Sequence, residues 1–253
     1  MHELETPPQN RSLRSPALPT LHGTQPQMSE LFRFMAEAEL RFQSLRMRIV
    51  DRRIGATGEQ VETSEVWLRH PGRAKVIQSR GDGSSRDFDV WVGDGENIQT
   101  YDARHGVATR RVRAPRPVGS DDERLPGFAR IYVPVTPLPA ETLVSTFIHP
   151  HGFCRNVLAT GALRELGTSA LVNDRETIIL RCDHPRTSHV LTDRPDHWLE
   201  VGVDRQTGMI LLLAEHVGGR ITRHGEVVAL SLDEPLGDDV FTLHLSADAT
   251  TIY

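Results

Sequence analysis

From Arg46 to Arg113 polar and apolar residues alternate for about seventy positions, interrupted only by G-A-T-G, H-P-G, G-D-G-S-S, G-D-G and R-H-G. A period of two places successive side chains on opposite faces of a strand. Turns this short permit only antiparallel neighbours, because a parallel pair needs a crossover of a dozen or more residues. The stretch therefore reads as a meander with strands over 46–53, 60–69, 73–80, 87–92, 96–102 and 107–113. The Gly93-Asp94-Gly95-Glu96 turn resembles a phosphate or metal loop at first sight. It has no following helix and no Lys-Ser/Thr, and it lacks the spaced acids of a calcium loop, so it reads as a tight hairpin turn.

Helical signals surround this meander. Leu31, Met35, Ala38, Phe42 and Leu45 fall on one stripe of a 3.6-residue period, with Ser29 as the expected N-cap. Pro139 is placed to open a short helix with Leu143, Val144, Phe147 and Ile148 on one face. Phe153, Val157, Leu158 and Leu166 suggest another. Strands then resume over 177–182, 197–203, 209–217, 220–232 and 241–245, with V-G-G-R as a hairpin turn. Strands and helices do not alternate regularly, so the chain is not a doubly wound fold. The expectation is an α+β, mainly β domain. About ten antiparallel strands form a curled half-barrel, and about three helices cover its concave face. A sheet of that length has to curl or be covered, and the space under the helices is a natural apolar cavity.

Residues 29–253 are expected to form a single domain, preceded by a disordered, proline-rich tail over 1–28. That tail lacks the continuous apolar core of a secretory signal, which points to a cytoplasmic protein. A formal net charge of −5 argues against a nucleic-acid partner. The longest strongly apolar run, Met209 to Ala214, is far too short to span a bilayer. With two cysteines in 253 residues, no disulfide framework is expected.

The segment V-W-L-R-H-P-G-R, followed by G-D-G-E-N-I-Q-T-Y-D, resembles the lipoprotein-carrier superfamily of the LolA and LolB carriers and the regulator RseB. Trp67, Pro71, Asp94, Gly95 and Tyr101 fall on its pattern. V-G-V-D-R-Q-T-G-M-I-L-L-L-A and D-D-V-F-T-L-H-L-S-A-D are similar to its later strands. The resemblance implies an unclosed half-barrel over 29–253 that binds acyl chains or hydrophobic protein segments and is not an enzyme. In the carriers an arginine before the strand-end proline latches the lid. Here His70 stands at that place, and its charge would change near neutral pH. The alternative for His70 is an exposed turn residue.

The expected ligand-binding residues are Val66, Leu68, His70, Val90 and Val92 from the strands, with Leu143 and Phe147 from the covering helix. The occupant would be a lipid, an acyl chain or a hydrophobic peptide, and no cofactor is expected. A second reading is an RseB-like regulatory module that docks a protein partner such as an anti-sigma factor. A third is zinc bound by His149, His151, Cys154, Cys182 and His184, residue types that suit a tetrahedral site but at spacings unlike those of known zinc modules.

Overall fold

A computed structural model describes residues 21, 26–56, 58–81, 87–112, 134–185, 195–245 and 249–252, with backbone alone for 165–170. Most of the expected tail lies outside these residues, as does most of the irregular stretch that begins at Ala114. The first meander is as expected. It comprises β1 (Ser44–Gly55), β2 (Gly58–Arg69), β3 (Arg73–Arg80), β4 (Phe88–Asp94), β5 (Asn97–Asp102) and β6 (Val107–Val112), each beside its predecessor. The β4–β5 connection is the hairpin turn read from the sequence. Asp94 Oδ1 accepts the backbone N–H groups of Glu96 at 2.9 Å and Asn97 at 2.7 Å. Gly95 has φ +103°, a conformation that side chains disfavour.

The second meander contains β7 (Ala162–Val172), β8 (Arg175–Asp183), β9 (His197–Asp204), β10 (Ile210–Val217) and β11 (Arg220–Leu232). Pairing of β1 with β11, from Leu45 opposite Leu232 to Arg53 opposite Arg223, joins the two meanders into one sheet. With the short β12 (Thr250–Ile252) the order is β12-β6-β5-β4-β3-β2-β1-β11-β10-β9-β8-β7. Among the described residues twelve strands stand where about ten were expected. All neighbours are antiparallel except β12, which runs parallel to β6. The class is the expected α+β, mainly β, consistent with a half-barrel.

Three helices, α1 (Met28–Ala36), α2 (Leu143–Ile148) and α3 (His151–Asn156), pack with one face of the sheet in a single apolar core. The five residues of the N-terminal stripe are all buried. Only its first part is helix, however. Ala38–Arg41 forms a 3-10 turn, and Phe42 is already extended at φ −147°. Leu45 is buried because β1 places it opposite Leu68. Gln27, with no side-chain hydrogen bond, holds the N-cap position in place of Ser29. Thr142 does cap α2, its side chain accepting the N–H of Ser145 at 3.2 Å.

Two further expectations are corrected. The helix drawn through Leu166 stops at Asn156, and from Ala162 the chain is β7. Gly161 makes that change of direction possible, since an added Cβ would meet the Asp183 carbonyl oxygen at 2.5 Å. The strand expected over 241–245 is instead a 3-10 turn, Asp238–Phe241, followed by chain outside the sheet. Phe241 turns inward from that turn and is buried.

The turn between β9 and β10 is organised by Asp204, which is fully buried. Its carboxylate accepts two hydrogen bonds from Arg175, at 3.0 and 2.8 Å, and the N–H of Thr207 at 3.0 Å. Removing one partner of a buried pair leaves the other charge without compensation. Asp204→Ala is therefore expected to lower unfolding free energy by about 3 kcal/mol, read as a reduced urea midpoint with an unchanged m-value.

Candidate functional site

Residues directly opposite one another on neighbouring strands share a face of the sheet. Val66 faces Val76, Val76 faces Trp91, Trp91 faces Thr100, and Thr100 faces Thr109. Leu68, Ala74 and Gly93 form the next row on the same side. Val66, Leu68, Ala74 and Val76 belong to the core that the helices cover, so this is the inner face. Val90 and Val92 stand opposite Ile77 and Lys75, and therefore lie on the outer face.

The structure thus separates the residues expected to line one cavity. Val66, Leu68 and Phe147 are fully buried within the packed core. Val90 shares the register side of Val92 and is also among the residues around the hollow described below, while Val92 is buried on the other side of the sheet, a correction that follows from the β3–β4 register. There β4 packs against the Asp238–Phe241 turn. Asp238 pairs with Arg69 and, at 2.7 Å, with Arg73, while the Arg69 guanidinium lies 5.2 Å from the Phe241 ring centre. Leu143 sits over Gly225 of β11, where an added Cβ would come within 2.6 Å of Leu143 Cδ2. The missing side chain lets α2 lie close against the strand.

Among the described residues two concave regions stand out on the inner face. A groove of about 480 Å³ runs between α2, α3 and β9–β11, with Leu143, Phe153, Val157, Leu199 and Leu213 among its walls. Arg223 and Glu215 line it as well. The Arg223 guanidinium is held by Asp51 at 2.9 and 2.8 Å, and Glu215 accepts from His197 Nε2 at 2.9 Å. The polar wall of this groove is thus engaged in bonds of its own.

The other region is a hollow of about 500 Å³ over β3–β6. Val76, Trp91 and Val107 contribute its apolar surface, and Pro139 bounds it on the helix side. Gly93 explains why Trp91 does not fill it. An added Cβ there would lie 2.9 Å from Cη2 of the indole, so the ring folds down over the glycine. Both spaces are within the size range of small-molecule sites.

His70 is neither in the hollow nor an exposed turn residue. It is partly buried, its ring centre 5.1 Å from that of Phe42, with Nδ1 2.7 Å from Thr136 Oγ1. Burial pushes its pKa below the ordinary histidine value. Glu39 opposes that shift, and His149 adds to it.

The zinc alternative does not assemble. His149 Nε2 lies 3.3 Å from the buried Glu39 carboxylate, Cys154 Sγ lies 3.7 Å from Met35 Sδ, and Cys182 Sγ lies 3.7 Å from the Leu158 carbonyl oxygen. Among the described residues no three His, Cys, Asp or Glu side chains could hold a metal ion together.

Sequence reasoning missed Val76, Trp91 and Val107 as lining residues. Alternation identified their strands. Selecting the face also required the β3–β4 register, which the long turn after Arg80 conceals.

No family model matches this chain, and no curated protein does. Solved structures do match over most of this chain at low sequence identity, and MucB and LolA-superfamily proteins are among them. MucB from the Pseudomonas aeruginosa MucA/MucB complex is 19% identical, with a TM-score of 0.49, covering 88% of this chain and 62% of its own. This chain therefore spans about 62% of the length of the MucB chain it matches. The LolA superfamily protein NE2245 from Nitrosomonas europaea is 10% identical, with a TM-score of 0.31, covering 85% of this chain and 97% of that one. A putative outer membrane lipoprotein-sorting protein domain from Vibrio parahaemolyticus is 10% identical, with a TM-score of 0.32, covering 83% and 95%.

The expected cytoplasmic location is contradicted by these matches. One is a putative outer membrane lipoprotein-sorting protein domain, and another is MucB in complex with MucA(peri). The cytoplasmic expectation rested on the polar character of the first 28 residues, which does not bear on where the folded sheet works. Among the described residues no helix is long and apolar enough to cross a membrane.

Burial raises the Cys154 thiol to about 12. Burial, and then the charge of Asp183, raise the Cys182 thiol to about 11. Because the thiolate is the reactive form, neither cysteine should react with an aromatic disulfide reagent at pH 8 in the native protein. Both should react promptly in denaturant, as measured by released thiolate absorbance.

Proposed function

We propose that this chain is a non-enzymatic binding protein that holds the apolar part of a lipid or acyl chain in the hollow over β3–β6. The observation that carries this reading is an apolar space of about 500 Å³ beside a densely packed core, on the face that the helices cover. Here a neighbouring glycine lets a tryptophan fold away and leave the space open. Thr100 and Thr109 hydroxyls, bonded to each other at 2.6 Å, add a polar feature, and Gln78, Asp89, Asp102 and His105 complete a polar part of the lining beside the apolar one. Among the described lining residues Asp102 and His105 pair with each other at the rim, and the apolar floor beside them suits retention of an apolar group.

Docking of a protein partner is the second reading, favoured by the sheet's outer strands. Val112 on β6 is 82% exposed, and Leu171 on β7 is 72% exposed. Exposed apolar residues on outer strands suit pairing with another chain.

The first reading is tested with the Trp67→Phe/Trp198→Phe protein, in which Trp91 is the sole tryptophan. Energy transfer from Trp91 to the neutral dye N-phenyl-1-naphthylamine should saturate, and lauric acid should displace the dye. Gly93→Ala, which pushes the indole into the hollow, should weaken dye binding about tenfold, or ~1.4 kcal/mol. Unchanged affinity in Gly93→Ala would remove the hollow as the site.

A further inference from the structure

The segment from Pro134 to Pro139 lies against the inner face as an irregular strap, and Pro139 is one wall of the hollow. Two hydrogen-bonding arrangements tie it down. The N–H of Val135 donates to Glu39 Oε2 at 3.0 Å. The hydroxyl of Thr136, which is fully buried, accepts the N–H of Gly72 at 2.8 Å and lies 2.7 Å from His70 Nδ1. Leu138 adds an apolar anchor in the core. Both polar ties end on one buried node, because His149 Nε2, from the end of α2, lies 3.3 Å from the same Glu39 oxygen. The 3-10 turn after α1, the β2–β3 turn, the strap and the end of α2 therefore meet at one carboxylate and two imidazoles.

We propose that protonation of His70 unfastens this strap, so that the hollow holds its apolar ligand at neutral pH and releases it in acid. The proposal rests on the hollow being the ligand site. Because Thr136 Oγ1 already accepts from Gly72, its own proton is free to bond His70 Nδ1 when the imidazole is neutral. Protonation converts Nδ1 into a donor and leaves the buried hydroxyl to find another acceptor, which is costly. The other ring nitrogen, Nε2, is buried without a hydrogen-bond partner among the described residues. An imidazolium would thus bury a full charge faced by the carboxylate and backbone of Glu39, and the carboxylate is already engaged by the Val135 N–H.

The groups that face His70 are Glu39 from the 3-10 turn, His149 from α2, Thr136 from the strap and the Phe42 ring. Arg69 and Arg73, on the same turn, pair with Asp238. The shift of His70 runs in the matching direction. Its folded value lies below the ordinary 6.5, so the fastening is fully present above that pH and is lost as pH falls through the lowered value. The titratable groups around the hollow include His105, 2.5 Å from Asp102, and Asp89, which pairs with Arg80.

The test compares pH 7.5 with pH 5.5, using the neutral naphthylamine dye for binding and hydrogen exchange of the Val135 N–H, corrected for its intrinsic rate, for fastening. In wild type, acid should weaken dye binding at least fivefold and reduce Val135 protection by a similar factor. His70→Gln should flatten both responses to within twofold, while His244→Gln, at an exposed histidine that lines neither concave region, should leave them as in wild type. Wild-type protection that does not change with pH overturns the proposal whether or not the dye binds. A pH response that survives in His70→Gln overturns it as well. Absence of dye binding at pH 7.5, with acid-sensitive Val135 protection, would instead refute the hollow as the ligand site and keep the fastener.

Discussion

The pairing of β1 with β11 is the constraint on which the remaining structure depends. It closes a chain segment of more than one hundred and sixty residues between Gly55 and Arg220. Loop-closure entropy grows only slowly with length, so the burial gained can offset it. Without this ladder each meander would present an apolar face with nothing to cover it. With it, Met47 and Ile49 of β1 join Leu213 and Val201 of the second half in one continuous core. The seam is also where charge is most tightly managed. Asp51 on β1 accepts from Arg223 on β11, while Gly225, opposite Asp51, leaves room for α2.

The inner face then divides according to which side chains are absent. At Gly225 the missing Cβ admits Leu143 and Phe147, and the face is filled. At Gly93 the missing Cβ admits the neighbouring indole, and the space over β3–β6 stays open. Two glycines on one face, used in opposite ways, separate packed core from hollow. The polar node of Glu39, His70 and His149 lies where the helical cover meets the end of the sheet. Buried ionisable groups contribute little net stability even when paired. They do hold segments in specific positions, and this node holds the segment that borders the hollow.

Much of the architecture was legible in the sequence. Alternation and short turns identified the six strands of the first meander, because strand period and hairpin chemistry are local. The Leu31 to Leu45 stripe correctly marked burial but overstated the helix, since Leu45 is buried by its place opposite Leu68 on a strand. Leu166 was assigned to a helix because apolar spacing around Gly161 fits more than one period. The site was less legible. Val66 and Leu68 were correctly inward, yet they are core. Val92 was assigned to the wrong face because the register of β4 against β3 is set by tertiary pairing and not by the local pattern. A one-residue change in register moves every side chain to the opposite face.

By itself, then, the sequence determined a mainly antiparallel sheet, its hairpin turns and the residues that leave water, since these follow from local periodicity and backbone preference. Tertiary structure alone decided which face each strand turns inward, where the face is filled and where it stays open, and that Glu39, His70, Thr136 and His149 meet. Those outcomes depend on inter-strand register and on contacts between residues far apart in the chain, down to a single Cβ at Gly93 or Gly225, and no local pattern encodes them.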